Sequence, residues 1–383
     1  AFGLIHWWAR LGSKAPSLVN FVTQTKGLSS LAKLIAGMPQ ARRIPTFAAQ
    51  PFTDWFARRR RYARSSGARL GARRPSTFSA PGTSTSSPRS SVSTSTSSTG
   101  STVLLWPDTF NNHFHPETAI AAMELLESAG FEVIVPRRPV CCGRPLYDYG
   151  LLPLAKKMLF SVIDTIRDEV RAGVPVIVLE PSCAAVFRDE MQNMLPHDED
   201  AKRLGAQVSL LGEFVQAHRE RFDLPSLSGR VLFHGHCHQK SIFDVSGDKA
   251  LLESMGAIVD APDTGCCGMA GSFGFEAGHQ EISRKIGERV LLPAVRAAAP
   301  ETIVVADGFS CREQIAQMSR RRAVHLAQAL RAAQTNASGI DRSELTLTID
   351  HAAETAVRLP AYAAAALIGI GSILAIAGLR RER

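Results

Sequence analysis

Two Cys-Cys-Gly tripeptides, Cys141-Cys142-Gly143 and Cys266-Cys267-Gly268, each follow a strand-like run, "FEVIVPRRPVCCG" and "IVDAPDTGCCG". Their surroundings repeat as well. In the first copy an apolar run, "TVLLWPD", precedes the helical pattern "PETAIAAMELLESAG". The strand "FEVIVP" and the cysteine pair follow, then a long helix from about Leu151 to Ala172. A further strand, "VPVIVLEPSC", delivers Cys183 into a new helix. The second copy keeps this order: "GRVLFHGHC", "GDKALLESMGA", "IVDAPDTGCCG", a helix over roughly 278–298, and "ETIVVADGFSC" ending at Cys311. An internal repeat constrains the fold more than any composition can. Apolar runs alternating with helices predict βαβ units and mostly parallel sheets. The expected class is therefore α/β, with two pseudo-repeated βαβ cysteine-rich modules facing a shared central site. The cysteines fall at the carboxyl ends of strands, where open α/β sheets place their ligands.

The repeat divides the chain. The first module is expected over 102–228 and the second over 229–335, preceded by a helical connecting segment over 1–64. Between them and that segment, 65–101 reads as a flexible, disordered linker. It is basic and then almost entirely Ser, Thr, Pro and Gly, which cannot bury enough apolar surface to offset its ordering entropy. The tail, 336–383, contains "LPAYAAAALIGIGSILAIAGL" (359–379) followed by "RRER". This C-terminal apolar helix is long enough to span a bilayer, with a packed or surface-lying helix as the alternative. The chain opens at Ala1 without a signal-peptide pattern and reads as a fragment or a processed chain.

The net charge of +9 comes largely from one stretch, "RRRRYARSSGARLGARR", with eight arginines and no acid. Such a run reads first as a solvated, disordered segment, with contact to anionic lipid or an acidic partner surface as the alternative; no aromatic-and-basic recognition motif accompanies it, so no nucleic-acid partner is expected. Seven cysteines in loops and turns suit metal ligation in a reducing compartment better than secreted disulfides. The expected location is cytoplasmic, with attachment to the inner face of the membrane as a variant.

The second copy supplies Cys237, Cys266, Cys267 and Cys311, four thiolates from three loops. Cluster irons prefer soft sulfur ligands, and adjacent cysteines can reach different irons of one cluster. Gly265, Gly268, Gly271 and Gly274 let backbone approach such a cluster and aim N–H groups at it. His236 and His238 flank Cys237 and can bind a metal, hydrogen-bond a thiolate or carry protons, or simply be satisfied in the loop. Arg144 and Arg312 follow cysteine turns and can offset cluster charge, with capping and surface roles as the alternatives. The first copy is poorer: Cys141, Cys142 and Cys183 are present, but Asp108 stands at the place matched to Cys237. Glu180 occupies the place three residues before Cys183, matched by Gly308 in the second copy. Both carboxylates are candidate oxygen ligands. Structural zinc and a redox-active vicinal disulfide are the competing readings of these cysteines.

"CCGRP", "HGHCHQK", "CCGMAGSFGFE" and "ADGFSC" resemble the cysteine-rich CCG domain over about 103–330. That domain occurs in the cysteine-rich component of heterodisulfide reductase and in the iron–sulfur part of FAD-linked dehydrogenases of glycolate, D-lactate, D-2-hydroxyglutarate or glycerol-3-phosphate. The resemblance implies a 4Fe-4S cluster held by the matching cysteines and an electron-transfer role. It also implies FAD on a partner domain or subunit, a ferredoxin-type iron–sulfur domain as a further partner, and a quinone or other acceptor, with membrane contact. The pattern departs at Asp108, Glu180 and Gly308. Heterodisulfide-type thiol chemistry at a cluster and a zinc-stabilised interaction module are the alternative functions.

Overall fold

A computed structural model of the chain describes residues 2–66, 101–335 and 343–346. The Ser/Thr-rich part of the linker and the apolar stretch 359–379 lie outside the described residues. Among those described, no helix is long and apolar enough to cross a membrane.

Two four-stranded parallel sheets carry the fold. The first joins β1 (Thr102–Trp106), β2 (Glu132–Ile134), β3 (Val176–Val178) and β4 (Val208–Leu210) in the order β2-β1-β3-β4. The second joins β5 (Gly229–His234), β6 (Ala257–Asp260), β7 (Ile303–Ala306) and β8 (Ala323–Val324) as β6-β5-β7-β8, the same winding. The repeat in the sequence is thus a repeat in topology. β4 and β8 were not foreseen, and each adds an edge to its sheet.

Side-chain alternation sorts each strand between two cores. Val103, Leu105 and Ile177 meet Val231, Phe233, Ile303 and Val305 in one apolar core shared by both sheets. The opposite faces point away from each other. Leu104, Trp106, Val176 and Val178 line a core with Cys141, Cys142 and Cys183. Leu232, Val304 and Ala306 line another with Cys266, Cys267 and Cys311. The central strands β3 and β7 are buried along their whole length, as parallel strands covered on both faces must be.

Local chemistry sets the helix limits. Pro116–Ser128 starts with proline at its first turn and buries Ala119, Ala122, Met123 and Leu126 on one face. It closes on Gly130 at φ +80°, with the Phe131 N–H returning to the Leu126 carbonyl, the glycine-dependent helix stop. The long helix runs over Leu152–Arg171, close to its expected span. The single helix expected over 278–298 is instead two, Gln280–Gly287 and Leu291–Ala297. Pro293 explains the break: it lacks an N–H and its ring would strike the carbonyl four residues back, so the second helix must begin just before it.

The N-terminal segment forms α1 (Ile5–Gly12), α2 (Pro16–Gln24), α3 (Leu28–Ala36) and α4 (Phe52–Ser66). Helix α1 packs His6, Ala9 and Gly12 inward, and His6 Nδ1 lies 3.4 Å from Thr109 Oγ1. Residues 38–44 lean on the second module's outer core through Met38 and Ile44.

Candidate iron–sulfur centre

All seven cysteines are free thiols at the carboxyl ends of strands. In the second module Cys237 opens the helix Cys237–Ile242, shortly beyond His234 at the end of β5. Cys266 and Cys267 sit in the turn after β6, and Cys311 lies in the first turn of Phe309–Met318 after β7. Three loops therefore bring four sulfurs to one end of one sheet. Cys267 and Cys311 are buried, whereas Cys237 and Cys266 are only partly covered.

The four sulfurs act on one another in sequence, Cys237 on Cys266, Cys266 on Cys267, and Cys267 on Cys311. This polarises them. Cys266 is pulled well down by the thiols of Cys237 and Cys267 and by the Gly268 N–H at 3.3 Å. Cys311 is pulled down by Cys267 and by His234, whose Nε2 lies 3.3 Å from its sulfur. Cys237 and Cys267 move the other way because of the neighbouring sulfurs, Cys266 first for each, and because burial desolvates them. Cys266 and Cys311 are thus the two drawn toward the thiolate, the ligating form.

This arrangement suits a cluster better than a single ion. One tetrahedral zinc with sulfurs at about 2.3 Å would hold all four sulfurs within roughly 4 Å of one another. Among the described residues, the metal-capable group whose ligand atoms all lie within 4.8 Å of each other is His236, Cys237 and His238, not the cysteine quartet. The four sulfurs are spread more widely than that, as ligands to a larger body would be.

The glycines of the second turn divide by role. Gly268 stands at φ +95°, and a Cβ there would lie 2.2 Å from the Ser283 carbonyl oxygen. A Cβ on Gly274 would lie 2.5 Å from Ser283 Oγ. Both permit close packing of the turn on Gln280–Gly287. Gly265 and Gly271 are turn residues at φ +59° and +65° with open space or a distant neighbour.

The first site is built alike but charged differently. Cys142 donates to Cys183 across 3.0 Å, and both are buried with Cys141. Contact with Cys142 and burial raise Cys141 far above the usual thiol range. Cys142 is drawn down by the Cys141 thiol, but its bond to Cys183 and its burial outweigh that and raise it far as well. Cys183 is drawn down by the Cys142 thiol, but burial, Asp108, Cys141 and Glu180 outweigh it and leave it at about 12. These thiols stay neutral.

The strand registers correct one sequence match. β1 pairs Trp106 with Val178 on β3, and β5 pairs His234 with Ala306 on β7. With Glu180 level with Gly308, Asp108 falls level with His236, and Thr109, not Asp108, falls level with Cys237. The two residues share a job. Asp108 Oδ1 accepts from the N–H groups of Phe110 and Asn111, and His236 Nδ1 accepts from that of His238, each at the start of its helix. Asp108 Oδ2 takes the Asn111 amide at 2.8 Å. Burial and the Glu180 charge push Asp108 up to about 6.

The modules meet beside the sulfurs. Arg144, after the first cysteine pair, contacts His238, after Cys237, and also ion-pairs with Glu190. Arg312, after Cys311, donates to the carbonyls of Ala306 and Asp307 and to Asn111 Oδ1 of the first module. Tyr149 donates or accepts at Ser272 Oγ, 2.7 Å away, tying the first cysteine turn to the second glycine stretch. His234 was missed by sequence reasoning. Its signal was the strand-end histidine in "FHGHC", two residues before the better-noticed His236.

The profile of the cysteine-rich CCG domain matches residues 108–188 and again 231–316, the two halves just described. Lactate utilization protein A of Geobacillus thermodenitrificans is 30% identical over 192 residues, and that match spans 75% of its length. The chain belongs to the cysteine-rich CCG-domain family. One component of the anaerobic glycerol-3-phosphate dehydrogenase of Escherichia coli is 28% identical over 230 residues, 58% of this chain and 57% of that protein. D-2-hydroxyglutarate dehydrogenase of the same organism is 28% identical over 233 residues, 60% of this chain but 22% of that protein. This CCG chain thus spans about half of the glycerol-3-phosphate relative and about a fifth of the hydroxyglutarate one.

Proposed function

We propose that the chain is the electron-transferring component of a flavin-linked dehydrogenase acting on a small 2-hydroxy acid or a related hydroxy compound. The observation that carries the reading is the convergence of Cys237, Cys266, Cys267 and Cys311 at the carboxyl ends of β5, β6 and β7. Those four would hold a 4Fe-4S cluster, which supplies one-electron storage when bound. The kinship with proteins named as dehydrogenases supports an oxidoreductase role.

The chain's own residues then have definite work. Gly268 brings its N–H to the Cys266 sulfur, and His234 brings Nε2 to Cys311; both stabilise negative sulfur and so set the potential. The partly covered Cys237 and Cys266 form the side on which electrons enter or leave. Flavin chemistry belongs to a partner domain or subunit, and a ferredoxin-type domain lies between flavin and this site. The acceptor is a quinone or another carrier, reached at the membrane surface. The cluster is assigned to the second site, because in the first Asp108 and Glu180 are already engaged as helix caps. Any metal in the first site would draw on Cys141, Cys142 and Cys183, with those two carboxylates as oxygen donors.

Anaerobic purification with iron and acid-labile sulfide analysis and EPR tests this. Iron, sulfide and a paramagnetic signal on reduction are the expected result. A colourless, iron-free protein after careful anaerobic reconstitution overturns it.

A further inference from the structure

Arg42 has no exposed surface at all. It comes from the N-terminal segment, outside both CCG modules, and reaches into the second one. Its Nε donates to the Gly274 carbonyl at 2.9 Å and its Nη2 to Ser283 Oγ at 2.9 Å. Its guanidinium lies 5.9 Å from the centre of the Phe275 ring. The third nitrogen, Nη1, is buried with no hydrogen-bond partner.

A guanidinium stays charged in any protein setting, and a buried unpaired charge is costly unless an opposite charge is near. Among the described residues Arg42 forms no ion pair: Glu313 acts on it only through space. The surroundings point to where the counter-charge lies. Ser283, which Arg42 holds, packs its carbonyl against Gly268, the residue directly after Cys267. Met38 and Ile44, on either side of Arg42, share a core with Cys267 and Cys311. Arg42 therefore sits on the protein side of the second cysteine site, behind its glycine-rich turn.

Resting on the cluster reading above, we propose that Arg42 is the buried counter-charge of that centre, a positioning residue that raises its reduction potential and anchors the N-terminal segment to it. A thiolate-ligated cluster gains negative charge on reduction, so a fixed cation behind it favours the reduced state. The same attraction holds 38–44 against the module. No motif marks this residue: "ARRIP" is an ordinary basic turn until the fold places it.

The test is an EPR-monitored redox titration of the anaerobically reconstituted full chain beside Arg42→Gln and Arg42→Lys. The midpoint potential of Arg42→Gln is expected to fall below that of the wild type, while Arg42→Lys, which keeps the charge, stays near it. Equal potentials in all three overturn the proposal while leaving the cluster reading intact; an iron-free wild type overturns both. If Arg42→Gln does not fold, hydrogen exchange over 38–47 in the wild type decides. Stripping the iron is expected to speed exchange there, since the guanidinium loses its counter-charge, and unchanged exchange overturns the proposal.

Discussion

The carboxylate of Glu180, at the end of β3, accepts the backbone N–H of Phe309 in the other module at 2.8 Å. Its second oxygen takes the hydroxyl of Ser182 at 2.9 Å. One buried side chain thus caps its own helix and also Phe309–Met318, the helix that carries Cys311. Gly308 precedes that helix and has no side chain with which to cap it. The residue that breaks the cysteine pattern in the first copy is a structural brace for the second.

Replacing Glu180 with alanine leaves the Phe309 N–H unpaired and buried. A hydrogen bond to a charged group contributes about 1.5–3 kcal/mol, and its loss is expected to appear in full here. Urea unfolding should show a lower midpoint at unchanged slope, with Glu180→Gln intermediate because it retains an acceptor. A Glu180→Ala protein as stable as the wild type would refute the brace.

The cysteine sets should respond differently to serine. Cys266→Ser removes a thiolate that the site favours, and the EPR signal and most of the bound iron are expected to vanish. Cys183→Ser disturbs only neutral thiols and should spare the signal. Loss of signal in both variants would place a ligand of the same centre in the first module.

The fold was legible where burial is two-sided and long. Val176–Val178 and Ile303–Ala306 read as strands because a parallel strand covered on both faces must be apolar throughout. β4, as short as β3, has its apolar run broken by Ser209, and β8 is two residues, so only pairing to β3 and β7 defines them. The paired cysteines were legible because chemistry demands their type and spacing. His234 and Arg42 were not, since each acquires its meaning from neighbours 77 and 232 residues away. The one-residue error at Asp108 has the same origin. A capping carboxylate and a ligand cysteine occupy adjacent positions, and only the sheet register separates them.

Two buried histidines hold α1 in place and should make its docking pH-dependent. His6 is held down to about 4 by burial and then by Arg10, and His113 to about 4 by burial, His6 and Arg10. His113 Nδ1 also meets Ser13 Oγ at 2.7 Å. The folded form therefore binds fewer protons than the unfolded form between pH 6.5 and about 4. Their contribution is complete above the unfolded value and is lost as pH falls through that window. Fluorescence of Trp7 and Trp8, both on α1, should report loosening on acidification before the sheets unfold. His113→Gln should flatten the dependence, and an α1 insensitive to pH would refute it.

The glycines of the second cysteine turn offer a sharper test, because two of them look alike in sequence and differ in surroundings. Gly268 combines φ +95° with a carbonyl oxygen 2.2 Å from where a Cβ would go, and that oxygen belongs to the backbone of a packed helix. Nothing there can yield cheaply, so Gly268→Ala should cost more than about 3 kcal/mol, combining left-handed strain with displacement of Gln280–Gly287. Gly265 has φ +59° and nothing within 4 Å, so Gly265→Ala should cost only the conformational term, about 1–2 kcal/mol. Urea unfolding of both variants, with iron content measured in parallel, separates the two effects. Comparable losses would mean that the turn's backbone conformation, and not its contact with Ser283, is what requires glycine beside Cys267.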